Sequence, residues 1–222
     1  MKTRAELKAM AKQQIKGNIG ILFVVMLVIG VISGLASLVL SLIPVVGSLA
    51  STLLVTPAFA ISTIRIYQGL VLGKRPEVGD AFSGFDDFWT ACKAYVLVAV
   101  FTFLWSLLFI IPGIIKGLSY TQTMYIVAEN KGISAREALN RSKAMMEGHK
   151  MDLFVLYLSF IGWSLLAPLT LGILYIWLIP YMNATMVNFY NDIKPVEELL
   201  VEEAPAAEVV VEEAPVNEVP AE

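Results

Sequence analysis

Thirty-nine consecutive residues, Leu153 to Asn191, contain no Asp, Glu, Lys, Arg or His. A run this long cannot be left in water, and it is about twice what one bilayer crossing needs. At 1.5 Å per residue, a hydrocarbon core of about 30 Å takes about 20 helical residues. The block therefore reads as two spans with Pro168-Leu169-Thr170-Leu171-Gly172 as the turn between them. Gly20 to Leu42 adds 23 residues without a charge. Lipid offers no partner to a backbone N–H or C=O, so helices that satisfy their own backbone are the expected form.

Composition agrees. The chain is 57% hydrophobic with a mean hydropathy of +0.72, against about 45–50% apolar residues in soluble domains. The fold class that follows is an all-α membrane protein. Its 222 residues suit one membrane domain over residues 1–192 and a tail over 193–222.

The remaining spans follow from the turns. Ile43-Pro44-Val45-Val46-Gly47 closes the first, and the second runs from about Ser48 to Leu72, with Pro57 expected to kink it. Arg65 lies near its cytosolic end, where its side chain reaches headgroups. The third runs from about Ala94 to Ile111 and is broken by Ile111-Pro112-Gly113. The fourth, Ile114 to Ala128, has marginal hydropathy because it holds Lys116 and the polar run Ser119 to Thr123. The sixth, Gly172 to Tyr190, contains Pro180, Asn183 and Asn188.

Lys and Arg cluster at residues 2–16, 65–93 and 131–150, while the turns within hairpins carry only Lys116. The positive-inside rule places all three clusters, and both termini, in the cytoplasm. The fourth span is needed to keep them on one side. Six transmembrane helices arranged as three hairpins is the consistent solution.

Each hairpin is preceded by a short polar-to-apolar unit. Thr3-Arg4-Ala5-Glu6 and Ser134-Ala135-Arg136-Glu137 are capping boxes, in which hydroxyl and carboxylate each serve the other residue's backbone N–H. Leu7, Met10, Ala11 and Ile15 line one face of the first unit; Ala138, Leu139, Ser142, Met145 and Met146 line one face of the third. Arg136 and Lys143 take its opposite face. Such helices suit the headgroup plane, apolar face down; a soluble surface helix is the plainer alternative. An offset of 131 aligns Glu6 with Glu137, Lys12 with Lys143, Gly17 with Gly148 and Phe23 with Phe154, the mark of an internal duplication. The middle unit, Glu77-Val78-Gly79-Asp80, lacks Ser or Thr at its cap. Its stripe of Val78, Ala81, Phe82, Phe85, Phe88, Trp89 and Cys92 keeps a three-four rhythm. Phe82, Phe85, Phe88 and Trp89 suit the acyl–headgroup boundary; packing against the protein's own spans explains them equally well.

Gly30 and Gly34 form a G-x-x-x-G pair with Ser33, Ser37 and Ser41 at four-residue spacing. Small residues let another helix approach closely, and the next span of this chain is the expected partner. One Cys, Cys92, and one His, His149, leave no internal disulfide and no metal set, so no cofactor or metal is expected. Cys92 is expected in the middle unit's apolar face and His149 at a membrane boundary. Residues 1–194 hold 16 Lys/Arg against 10 Asp/Glu, a net +6, whereas residues 195–222 hold nine Glu and no base. That Glu/Ala/Pro/Val tail has no aromatic residue and is expected to be disordered.

Several motifs then combine: R-A-E-L-K at Arg4–Lys8, I-I-P-G-I-I at Ile110–Ile115 and E-A-L-N-R-S-K-A-M-M-E-G-H at Glu137–His149. S-F-I-G-W at Ser159–Trp163, W-L-I-P-Y at Trp177–Tyr181 and Phe189-Tyr190 complete them. Together they resemble a family of bacterial integral membrane proteins, the domain-of-unknown-function 975 family. The resemblance covers about residues 1–192 and implies a multi-helix fold in the cell membrane. It implies no activity and no catalytic residues.

Three functional classes are open to such a chain. The first is a non-enzymatic membrane scaffold or envelope-homeostasis factor that contacts lipids, and a further membrane or cytosolic protein, at its cytosolic face. Nothing points to nucleic acid. The second is a transporter or permease with a small polar path between kinked spans, for which Gln122 and Asn183 are the mid-membrane polar candidates. No ionisable side chain falls at mid-depth in the spans, which counts against ion-coupled transport. The third is an intramembrane enzyme. Ser119, Tyr120 and Ser159 have no partner for nucleophilic chemistry, and Glu129, Asp152 and Asp192 sit at span ends. The sequence points to no catalytic residue.

Overall fold

The computed structural model describes residues 2–43, 46–108 and 110–195. The acidic tail from residue 196 onward, and Pro44 and Val45 of the first turn, lie outside the described residues. Among the described residues every regular element is a helix. Four helical stretches are long and apolar enough to cross a membrane: Ile19–Leu40, Gly47–Val71, Phe88–Leu107 and Lys150–Thr170.

Helix α1 (Arg4–Ile15) begins on the Thr3/Glu6 capping box, with both reciprocal bonds made. Gly17, at φ +85°, turns the chain into α2 (Ile19–Leu40). Only Leu22 and Val25 of α2 are buried, so most of this apolar rod faces outward. Gly30 and Gly34 face outward too, with open space where a Cβ would stand. They do not seat the next span as expected; Ser37 does, through a 2.6 Å hydroxyl bond to Ser51.

α3 (Val46–Ala50) and α4 (Thr56–Val71) form one rod joined by a π turn, Ser51–Val55. Pro57 explains the turn. Its ring would collide with the carbonyl four residues back, so the helix widens just before it and the Thr56 N–H reaches back to Ser51 O. The expected kink is thus a π bulge.

The middle unit is a 3₁₀ helix, Val78–Phe85, not an α-helix. Glu77 and Asp80 cap it reciprocally without a hydroxyl. Gly84 lets it lie directly on α4: a Cβ there would stand 1.9 Å from Ala58 O, and the Gly84 N–H donates to Ser62 Oγ at 2.9 Å. α5 (Phe88–Leu108) starts six residues earlier than expected and takes Phe88, Trp89 and Cys92 into its first turns. α6 (Ile110–Tyr120) returns against it, with Pro112 in its first turn, where no intrahelical N–H is required. Gly113 meets Ser106, whose Oγ would lie 2.3 Å from an added Cβ.

The fourth expected span is broken. α6 stops at Tyr120, and α7 (Thr123–Glu129) starts after a two-residue turn. The Thr121 hydroxyl at the break binds Leu118 O at 2.9 Å and Gly117 O at 3.2 Å, competing with the backbone ladder. α8 (Ala135–Met145), α9 (Lys150–Leu166) and α10 (Leu174–Ile193) complete the chain.

α10 is the centre of the bundle. Leu178, Tyr181, every residue from Ala184 to Tyr190, and Ile193 are buried. Helices α1, α2, α4 and α9 surround it. A helix enclosed by protein can carry asparagines that a lipid-facing helix cannot. Asn188 exchanges amide bonds with Gln14 at 2.7 and 3.1 Å, and Asn183 lies beside Tyr67. The apolar faces of α1 and α8 are also spent inside the protein, α1 on α10 and α8 on α5, α6 and α7.

Candidate functional site

The charges gather where α1, α4, α5, α7, α8 and α10 begin or end. Arg65, in the last two turns of α4, is their hub. Its Nε donates to Ala128 O at 2.8 Å, Nη1 to Ser83 O, and Nη2 pairs with Asp87. Both partners of that pair are about nine-tenths withdrawn from solvent, with 14% and 13% of each side chain exposed. Arg65 therefore ties α4, the 3₁₀ helix, α5 and α7 into one block; it is not free to reach headgroups. A second knot joins α7 to α10: Glu129 accepts from Tyr190 and pairs with Lys194. Lys2 closes a third, from the start of α1 to Asp192 at the end of α10.

Sequence reading placed Glu129, Asp152 and Asp192 at this end but missed their partners. The acids do not meet one another. Among the described residues no three His, Cys, Asp or Glu side chains form a metal-holding group. Cys92 is buried in α5, its Sγ 3.9 Å from Leu54 O. His149 holds the N-cap position of α9 without a side-chain cap bond, its Nδ1 3.9 Å from Asp152 Oδ2.

Beside the hub stands an aromatic ladder. In a 3₁₀ helix residues three apart eclipse, and Phe82, Phe85 and Phe88 follow that period. Phe85 and Phe88 stack at 6.1 Å, Phe59 meets Phe85 edge-on at 5.3 Å, and Trp89 stands edge-on to Phe88 at 5.3 Å. One side packs on α4 through Phe59. The other is open: Phe82, Phe85 and Trp89 keep 46%, 42% and 69% of their surface. Arg136 and Lys143 are exposed on α8. On α8 the Ser134 hydroxyl caps Glu137 N at 3.2 Å, while the Glu137 carboxylate turns to Arg141.

The two polar candidates have different neighbours. Gln122 is buried at the α6–α7 break, its Nε2 3.7 Å from Met146 Sδ and its Oε1 without a partner; the Thr123 hydroxyl beside it in sequence is also unpartnered. Asn183 lies in α10 against Tyr67 of α4. On α1, Lys8 reaches Ser159 O at 3.3 Å and lies 4.1 Å over the Phe160 ring. Burial lowers its pKa, and repulsion from Lys12 and Arg4 adds to the shift.

Two clefts open on the charged end and share Lys74 and Arg75. One, of about 600 Å³, runs past Arg65, Gln68 and Glu129; the other, of about 620 Å³, lies between the α1–α2 joint and the end of α4.

A family model described as "Protein of unknown function (DUF975)" matches residues 1–116 and 108–197. The chain belongs to that family. No curated protein and no solved structure matches it. The ion-pair hub, the aromatic ladder and both clefts all lie within the DUF975 match. The family description assigns no chemistry, so the geometry must carry any functional reading. That geometry offers cations, aromatic rings and open clefts.

Proposed function

We propose that this DUF975 protein is a non-enzymatic multi-pass scaffold of the bacterial cell membrane, whose charged end faces the cytoplasm and holds anionic lipid. Four apolar helices cross. α10 crosses inside them, and α6 with α7 forms the broken return of α5, giving six passes in three hairpins with both termini cytoplasmic. The observation that carries the reading is the juxtaposition of exposed Phe82, Phe85 and Trp89 with a rigid cationic end. Aromatic rings settle at the acyl–headgroup boundary, and each Lys or Arg near anionic lipid adds about 1 kcal/mol. Partner proteins would dock on the same face.

The test retains Trp89 as the sole tryptophan, by Trp105→Phe, Trp163→Phe and Trp177→Phe, in lipid vesicles. Bromines placed shallow in the acyl chains should quench Trp89 more than deep ones. No quenching at any depth would remove the interfacial assignment. A Lys143→Cys probe in a Cys92→Ser background should react in intact cells only with membrane-permeant thiol reagents; reaction with impermeant ones would invert the topology.

A second reading, a permease, draws on the unpartnered Gln122 Oε1 and Thr123 Oγ1. Cysteines at Gln122 and Asn183 that react with small impermeant reagents, and are protected by a solute, would favour it. Unreactive positions would mean a dry bundle.

A further inference from the structure

We propose that the cleft between the α1–α2 joint and the end of α4 is a binding site for a phosphate-bearing anion, occupied in the membrane by the headgroup of an anionic lipid. The inference rests on the membrane reading above and names a specific site within it.

The charge balance is the first observation. At four places on the charged end a cation is met by an acid: Arg65 by Asp87, Lys194 by Glu129, Lys2 by Asp192, Arg141 by Glu137. Lys16, Lys74 and Arg75 line a cleft of about 620 Å³ that has no carboxylate in its wall. None of the three forms an ion pair with a described residue. Three cations facing one concavity repel one another, and an anion relieves that repulsion.

Hydrogen-bond supply is the second. Gln13 and Gly73 also line the cleft. Gln68, on the wall of the adjoining cleft that shares Lys74 and Arg75, has its Nε2 buried without an acceptor. Asn18 stands at the cleft as the N-cap of α2, but its side chain does not cap the helix. The positive end of a helix of 22 residues is therefore open beside three cations.

Position decides between lipid and free phosphate. The cleft sits where two membrane-capable helices meet the charged end, α2 starting at Ile19 and α4 stopping at Val71. Leu72 at its edge and Phe23, Val24 and Leu27 along α2 are exposed. A lipid whose phosphate enters the cleft would lay its acyl chains on that face of α2. A soluble phosphate would leave it bare.

The experiment uses the full chain in detergent, where no membrane surface potential acts, and counts retained lipid by native mass spectrometry. Phosphatidylglycerol, phosphatidylcholine and inorganic phosphate are the probes. The wild type should retain phosphatidylglycerol over phosphatidylcholine. Lys16→Gln/Lys74→Gln/Arg75→Gln should lose retention about tenfold or more. A second triple on α8 and its approach, Lys131→Gln/Arg136→Gln/Lys143→Gln, should change it less than about twofold. Equal loss in both triples, or none in the first, overturns the site. Displacement of phosphatidylglycerol by inorganic phosphate at comparable concentration overturns the lipid as occupant. Should the first triple fail to fold, Arg75→Gln alone should still lose retention about threefold or more, and wild-type retention by it overturns the site. Failure of the wild type to enter nanodiscs would defeat the membrane reading itself; normal entry without lipid discrimination defeats only the cleft.

Discussion

The joint between α1 and α2 and the joint between α8 and α9 share a backbone and differ in charge. Gly17 and Gly148 both sit at φ +85°. The next residues, Asn18 and His149, hold φ −108°, ψ 0° and φ −105°, ψ 0°. Ahead of each glycine lies a short helix started by a hydroxyl cap, and behind each lies an apolar rod. The 131-residue repeat is therefore a repeated device in three dimensions. The first joint opens on three cations and no acid; the second, a cleft of about 380 Å³, is lined by Arg141, Glu147 and His149 together. A common scaffold with unlike electrostatics separates what the repeat builds from what each copy binds.

The largest expected effect tests what the two joints have in common, the Arg65 block lying between them in sequence. Asp87→Ala leaves a largely buried guanidinium without its carboxylate, at a cost of about 3 kcal/mol. Unfolding by SDS, followed by helical circular dichroism, should show both repeat units melting earlier together. If only the middle unit loosens, the joints are independent of the hub. Next come Gly17→Val and Gly148→Val. Neither site has an atom within 4 Å of an added Cβ, so each substitution costs backbone strain alone, about 2 kcal/mol. Equal losses support the repeat; a loss at one joint only breaks it. Thr3→Ala and Ser134→Ala should each cost about 1 kcal/mol as lost helix caps.

The sequence made the repeat legible because its signals are local. A hydroxyl cap, a glycine between polar and apolar periods, and a proline inside an apolar block each act within a turn or two; Thr3 and Gly148 act as read, while Pro57 widens its helix into a π turn rather than kinking it. What it left hidden depends on residues distant in the chain. Arg65 and Asp87 are 22 residues apart, and no spacing rule joins them. Gly30 and Gly34 define a face but not its occupant, and that face is bare. Periods of 3.0 and 3.6 residues are hard to separate over eight positions, so the Val78–Phe85 stripe reads as α-helical from sequence although it is a 3₁₀ helix. Nothing in the segment of Asn188 or Asn183 shows Gln14 or Tyr67 beside them. Most of the candidate site belongs to this second kind.

The smallest effect offers the finest comparison between the repeats. In the first, the Glu6 carboxylate accepts from Thr3 N at 2.6 Å and Thr3 Oγ1 at 2.8 Å, and these bonds hold its pKa below the usual 4.5. A carboxyl depressed in the folded state contributes stability that is fully present above its unfolded pKa and is lost as pH falls through the folded one. Glu6→Gln should therefore trail the wild type by a constant margin at neutral pH, and the gap should narrow as the pH is taken below the usual 4.5. A margin that persists unchanged below that pH would mean the charge plays no part in the cap. In the second repeat the Glu137 carboxylate turns to Arg141, with 51% of its side chain exposed. An exposed pair one helical turn apart is worth about 0.5 kcal/mol or less and is screened by salt. Glu137→Gln should then show a margin that salt abolishes, whereas the Glu6 margin, held by short bonds within its own cap, should survive it. Identical salt responses would mean that the two caps work alike in solution despite their different hydrogen bonds.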